Sequence, residues 1–231
     1  MKKALDLTSD MTGALPKRPD PSLSLSGRPN PGLTPMMLNH AAWVTPDAAA
    51  TTEFYTRIMG MDLVSTVIED TSPSTGLKIP YFHLFFRMGD GSTLAFFEAP
   101  GVPPPAKSSH IAYDVFTHVA LQAADRNEVM RWYEWLTSNG LDVQGPTDHK
   151  GLILSIYFAD PAGLRMEITT PLDKNWNRHD AKAKADLDLW VQTKNKAAHE
   201  GRDVVEALTD LCVEVRKRYE RDAQAGQDGA A

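Results

Sequence analysis

At 231 residues, with 42% hydrophobic side chains, the chain can bury a substantial core as one domain or two small packed modules. Acidic side chains outnumber basic ones by 30 to 24, a formal net charge of −6 that offers no basic face to a phosphate backbone, and no stretch approaches the ~20 apolar residues needed to cross a bilayer; nucleic-acid and membrane partners are excluded. The single cysteine, Cys212, excludes an intramolecular disulfide and a thiolate zinc cluster and fits a reducing, cytoplasmic location, so any metal must be held by His and carboxylate.

The first residues, Met1 to Leu5, carry a small basic patch that Asp6, Ser9 and Asp10 interrupt before an apolar run develops, so no signal peptide is expected. Residues 1–36 are punctuated by Pro16, Pro19, Pro21, Pro29, Pro31 and Pro35 and read as an irregular arm. From Met37 the texture becomes that of an α+β domain, and the pattern repeats. Leu38 to Val44 reads as a strand, followed by a helix through Glu53 to Met59 that stops at Gly60. Three strands are predicted next, over Leu63–Glu69, Tyr81–Met88 and Thr93–Ala99. The same series returns as a strand over Thr117–Gln122, a helix over Glu128–Leu136 stopped by Gly140, and strands at Asp142–Val143, Leu152–Phe158 and Leu164–Thr169. Each copy is βαβββ, over about residues 37–101 and 115–172. Residues 173–231 form a helical extension, with Val204, Leu208, Leu211 and Val215 as one apolar stripe and a break near His199-Glu200-Gly201. Such an amphipathic tail suits a lid or a packing surface in a homo-oligomer.

The polar residues that interrupt apolar strands fall at matched places in the two copies. His40 and His118 open the copies, and Glu98 and Glu167 close them within the runs Leu94-Ala95-Phe96-Phe97-Glu98 and Leu164-Arg165-Met166-Glu167-Ile168. A buried, unpaired carboxylate costs several kcal/mol, so each glutamate needs a cation or strong donors. A lone strand histidine is more often a hydrogen-bonded core residue, and a lone strand glutamate more often faces solvent. The matched set points instead to a divalent metal held by His40, His118 and Glu167, with Glu98 as a further candidate ligand. Fe(II) is the favoured metal; Mn(II), Ni(II) and Zn(II) accept the same donors.

With these residues in place, about residues 37–172 resemble the vicinal oxygen chelate superfamily, the glyoxalase, bleomycin-resistance and extradiol-dioxygenase group. The resemblance implies a cupped mixed sheet around the metal. Thr147-Asp148-His149, then six residues, then Ile156-Tyr157-Phe158-Ala159-Asp160-Pro161-Ala162-Gly163-Leu164-Arg165-Met166-Glu167 resembles the extradiol ring-cleaving dioxygenase signature throughout. That resemblance implies Glu167 as a metal ligand, with His149 and Tyr157 as catalytic residues bonding to substrate oxygen or dioxygen. The expected activity is ring cleavage of a catechol-like aromatic diol with O2.

Two departures keep other readings open. The acid/base histidine usual in extradiol enzymes aligns with Ser92 or Thr93, leaving His110 or His83 to substitute. Glu98 has no ligand role in that group, whereas in glyoxalase I-like enzymes a fourth carboxylate ligand serves an enediolate reaction. A bleomycin-resistance-type binding protein, without a catalytic metal, is the third reading. Trp43, Phe82, Phe85, Phe96, Phe97 and Phe116 would favour an aromatic substrate if they line the cup.

Overall fold

The computed structural model describes residues 32–103 and 108–228. The expected arm over residues 1–36 therefore lies, up to residue 31, outside the described residues. The chain divides into two units, residues 1–150 with 154–170, and residues 151–153 with 171–231.

The first unit holds both βαβββ copies. In the first, β1 (His40–Val44) is followed by α1 (Ala48–Glu53), which widens into a π-helical turn over Phe54–Ile58. The Asp47 side chain accepts from the amide of Ala50 and starts the helix, and Gly60, at φ +68°, ends it in a conformation that L side chains avoid. β2 (Asp62–Thr71), β3 (Lys78–Arg87) and β4 (Thr93–Glu98) complete a sheet in the order β1-β4-β3-β2, with β1 parallel to β4 and the other pairs antiparallel. Its helix-side face is apolar: Leu84, Phe86, Leu94 and Phe96 are buried, and Tyr55, fully buried, stacks on Phe86 at 5.2 Å and lies 4.8 Å from Phe96. The other face carries His40 and His83 beside Phe85 and Phe97.

The second copy repeats this plan with β5 (Val119–Gln122), α3 (Arg126–Ser138), β6 (Gln144–Asp148), β7 (Ile153–Ala159) and β8 (Arg165–Pro171), ordered β5-β8-β7-β6. Asp125 caps α3 by accepting from the Glu128 amide, while the Glu128 carboxylate accepts from the Ala124 amide, a reciprocal arrangement that satisfies two otherwise orphan donors. Side-chain hydrogen bonds join the two copies. Trp135 donates its indole N–H to the Ile58 carbonyl at 2.8 Å, Arg57 donates to Asn139 at 3.2 Å, and the Tyr55 hydroxyl donates to Asp160 at 3.1 Å.

Two elements differ from expectation. The second strand of the second copy runs over Gln144–Asp148 rather than Asp142–Val143, because Gly145-Pro146 lies inside it and hides it from a propensity reading. Its pairing with β7 is broken between Gln144 and Thr147, where the cis Gly145–Pro146 bond sits. A short helix, α2 (Ile111–Phe116), precedes β5; none of its residues is buried, so no apolar periodicity marks it.

The second unit contains α4 (Asp180–His199) and α5 (Val204–Asp228), broken where the sequence places the break. The predicted stripe of α5, Val204, Leu208, Leu211 and Val215, is its half-buried side. Among the described residues no helix is long and apolar enough to cross a membrane.

Candidate metal centre

Strand register decides which predicted residues share a face. In the first copy His40 pairs with Thr93 and Ala42 with Ala95, while Phe85 pairs with Ala95 and His83 with Phe97. Side chains alternate along a strand, so His40, His83, Phe85, Ala95 and Phe97 share the face away from α1. Glu98 falls one step out of phase with them, on the face of Leu94 and Phe96. There its carboxylate accepts from the Ala48 amide at 2.6 Å, at the N-terminus of α1, where a negative charge is favoured. The side chain expected as a further ligand is thus engaged on the opposite side of the sheet from His40.

In the second copy Ala120 pairs with Glu167, and continuing that register back sets His118 beside Arg165. His40 stands beside Thr93 in the same way, so the true counterpart of Glu167 is Ala95 rather than Glu98. Glu98 lies three residues beyond Ala95 along β4, and an odd offset changes the face.

His118, just before β5, brings its Nε2 to 2.7 Å from Oε2 of Glu167. Glu167 is only 2% exposed, and its second oxygen, Oε1, is buried with no hydrogen-bond partner. The Nδ1 of His118 lies 3.0 Å from the Phe116 carbonyl, which orients the ring and leaves Nε2 for the site. Tyr157 stands beside this pair, its ring 6.0 Å from that of His118, and its hydroxyl is hydrogen-bonded to Nε2 of His149 at 2.9 Å. Burial and then the Glu167 carboxylate push the Tyr157 phenol above its ordinary pKa. Arg165 lies over the same ring, 4.1 Å from its centroid, and donates to the Val115 carbonyl. A cleft of about 250 Å³ opens there, lined by Asp142, Gln144, Tyr157, Phe158, Ala159 and Arg165. A larger one, about 490 Å³, is lined by Met59, Met88, Leu121 and Trp132 among others and includes none of the predicted site residues.

The structure thus brings His118, Glu167, Tyr157 and His149 together. It does not bring His40 to them: among the described residues no group of three or more His, Cys, Asp or Glu side chains is placed to hold a metal. His40 instead neighbours Phe85, at 5.6 Å between ring centroids, and His83, at 6.3 Å. Burial, with a contribution from His40, holds the His83 imidazole below the ordinary histidine pKa. His110 is a helix cap whose Nδ1 accepts from the Ala112 amide at 3.1 Å. Of the six aromatic residues named as candidate lining, Phe85 and Phe97 share the face of His40. Phe96 belongs to the core with Trp43 packed on it, Phe82 falls on the core-side phase of β3, and Phe116 is exposed on α2.

The family model for the Glyoxalase/Bleomycin resistance protein/Dioxygenase superfamily matches residues 37–168. The metallothiol transferase FosB of Staphylococcus haemolyticus is 31% identical over 134 residues, 58% of this chain and 82% of that protein. FosB of Staphylococcus saprophyticus is 28% identical, over 58% of this chain and 76% of its own length. Solved structures with similar chains include the Listeria monocytogenes fosfomycin resistance protein FosX, as a mutant complexed with Mn(II) and 1S,2S-dihydroxypropylphosphonic acid. It is 19% identical at a TM-score of 0.44, covering 63% of this chain and 98% of that one. A lactoylglutathione lyase from Agrobacterium tumefaciens is 22% identical at a TM-score of 0.42, covering 60% of this chain and 96% of that one. With an α+β fold of two four-stranded mixed sheets, this chain belongs to the Glyoxalase/Bleomycin resistance protein/Dioxygenase superfamily.

Proposed function

We propose that the protein is a metal-dependent enzyme whose ion is held by His118 and Glu167 together with His40, and that it cleaves aromatic diols in the extradiol manner. The observation that carries the metal is Oε1 of Glu167, a buried carboxylate oxygen without a partner beside a histidine whose Nε2 points at the same carboxylate. Burial of that kind costs several kcal/mol unless a cation answers it. His40 comes from a second copy of the chain, which makes the enzyme a homo-oligomer with shared sites.

Two imidazoles and one carboxylate suit Fe(II), which His118, Glu167 and His40 would hold and which, when bound, would acidify a chelating diol. The rest of the chemistry falls to side chains. The His149–Tyr157 pair holds a hydrogen bond at the substrate oxygen and moves its proton, since the two groups are already linked at 2.9 Å. Arg165 over the Tyr157 ring fixes that phenol and supplies positive charge as the substrate ionises. Phe85 and Phe97 offer an apolar surface for the aromatic ring. Both atoms of O2 enter the ring-opened product, so no external reductant is needed. Anaerobic loading with Fe(II), followed by catechol and air, should give oxygen uptake and a yellow product; loaded protein that consumes no oxygen with a panel of catechols overturns the dioxygenase.

The likeness to FosB favours a second reading, transfer of a thiol to a small electrophile at the same metal. Metal-dependent loss of free thiol, with no oxygen uptake, would establish it. The glyoxalase I-like reading needs Glu98 as a fourth ligand, and that carboxylate is engaged with α1.

A further inference from the structure

Among the described residues two buried side-chain polar atoms lack a hydrogen-bond partner, Oε1 of Glu167 and Nε2 of His83. The first belongs to the centre described above. The second lies in the other copy, on the corresponding face of its sheet. His83 is 9% exposed, lies parallel to the Phe97 ring at 3.6 Å and meets Phe85 at 4.1 Å. This packing fixes the imidazole but gives its Nε2 nothing to bond. Such an orphan is a costly feature for a core and a useful one for a site.

The register explains what the nitrogen is near. His40 sits opposite Thr93 and His83 opposite Phe97, so the two rings approach each other across Ala95, with the Phe85 ring beside both. Where the second copy carries Glu167, the first carries only a methyl group. A molecule held beside His40 would have the Phe85 ring and the His83 imidazole as its neighbours.

We propose that His83 is a specificity-determining residue, its Nε2 hydrogen-bonding one of the two hydroxyl oxygens of an aromatic diol whose ring packs against Phe85. The assignment rests on the diol reading above. A site built to bond a hydroxyl discriminates strongly against analogues that lack it, because its own polar atom is then left unpaired.

The test measures binding rather than turnover. Zn(II)-loaded wild type, His83→Gln and His83→Phe are titrated with catechol and with phenol under argon, and metal content is measured alongside. Expected is a loss of about 10- to 100-fold in catechol affinity for His83→Phe, with phenol affinity little changed, a partial return in His83→Gln, and equal metal content in all three. In ¹⁵N-histidine spectra of the wild type, which need no variant to fold, the His83 Nε2 resonance should move with catechol and not with phenol. Unchanged catechol affinity in His83→Phe, an unmoved resonance in the wild type, or metal loss in a folded His83→Phe overturns the proposal, the last by making His83 a ligand. Failure of the wild type to bind metal or catechol at all overturns the diol reading beneath it.

Discussion

Glu98 and Glu167 each lie in the last strand of their module yet face opposite ways, the first toward the Ala48 amide at 2.6 Å and the second toward His118 at 2.7 Å. Their removal should therefore have opposite signatures. Glu98→Ala should cost about 1–2 kcal/mol of stability through the lost helix-end bond while leaving metal stoichiometry unchanged. Glu167→Gln should abolish metal binding and leave the metal-free fold as stable as before or more so, because it removes a buried charge. Denaturant melts with metal analysis check both; metal loss in Glu98→Ala would restore it as a ligand.

If the site is shared between copies, defective halves should complement. His40→Ala and His118→Ala each bind no metal alone; unfolded together and refolded as an equal mixture, they should recover about a quarter of the wild-type metal, from random pairing into dimers with one intact site. A mixture that stays metal-free would place both histidines in the same chain's site or in none.

Tyr157→Phe and His149→Gln should each keep the metal and lose about 100- to 10,000-fold in kcat, the range expected for a positioned proton carrier. Because the pair acts as a unit, the double variant should be little worse than either single one. Additive losses in steady-state kinetics would show that they act separately.

The Tyr55 hydroxyl, fully buried, donates to Asp160, whose carboxyl is lifted above the ordinary range by burial and partly pulled back by Tyr55 and the amides of Leu164, Ala162 and Gly163. Tyr55→Phe should cost about 1–3 kcal/mol at neutral pH. The folded pKa of Asp160 already exceeds the unfolded one, and losing a donor to the ionised form raises it further. The penalty of the variant is therefore present above the folded pKa and fades as pH falls through it. Urea melts at pH 7 and pH 4 read the difference; an equal penalty at both would remove Asp160 from the explanation.

Gly145→Ala should cost about 1–3 kcal/mol, since φ there is +106° and an added Cβ would stand 2.8 Å from the Ser155 carbonyl. Thermal melting of the variant checks this, and an unchanged midpoint would mean that β6 shifts freely.

Much of this was legible in the sequence for a physical reason. Alternating apolar strands and helices stopped at Gly60 and Gly140 mark the duplicated βαβββ plan, and the resemblance of the His149 to Glu167 segment to the extradiol signature implies that those residues gather with Tyr157. What composition could not disclose is register. Glu98 reads as the partner of Glu167 by its place in an apolar run, and only the pairing of β1 with β4 shows it one face away, with Ala95 in the matching position. His83 is similarly hidden, since an isolated strand histidine announces neither burial nor the lack of a partner. The strand over Gln144–Asp148 contains Gly145 and Pro146, which a propensity reading assigns to a turn.

The unanswered oxygen of Glu167 has one more consequence, for how the natural ion can be identified without a substrate. A ligand that binds only the folded state raises its melting temperature in proportion to the logarithm of concentration over Kd. Since the metal-free chain leaves Oε1 of Glu167 buried without a partner, each fitting ion should report itself as a rise in melting temperature. A melting series across Fe(II), Mn(II), Ni(II) and Zn(II) would then order them by affinity.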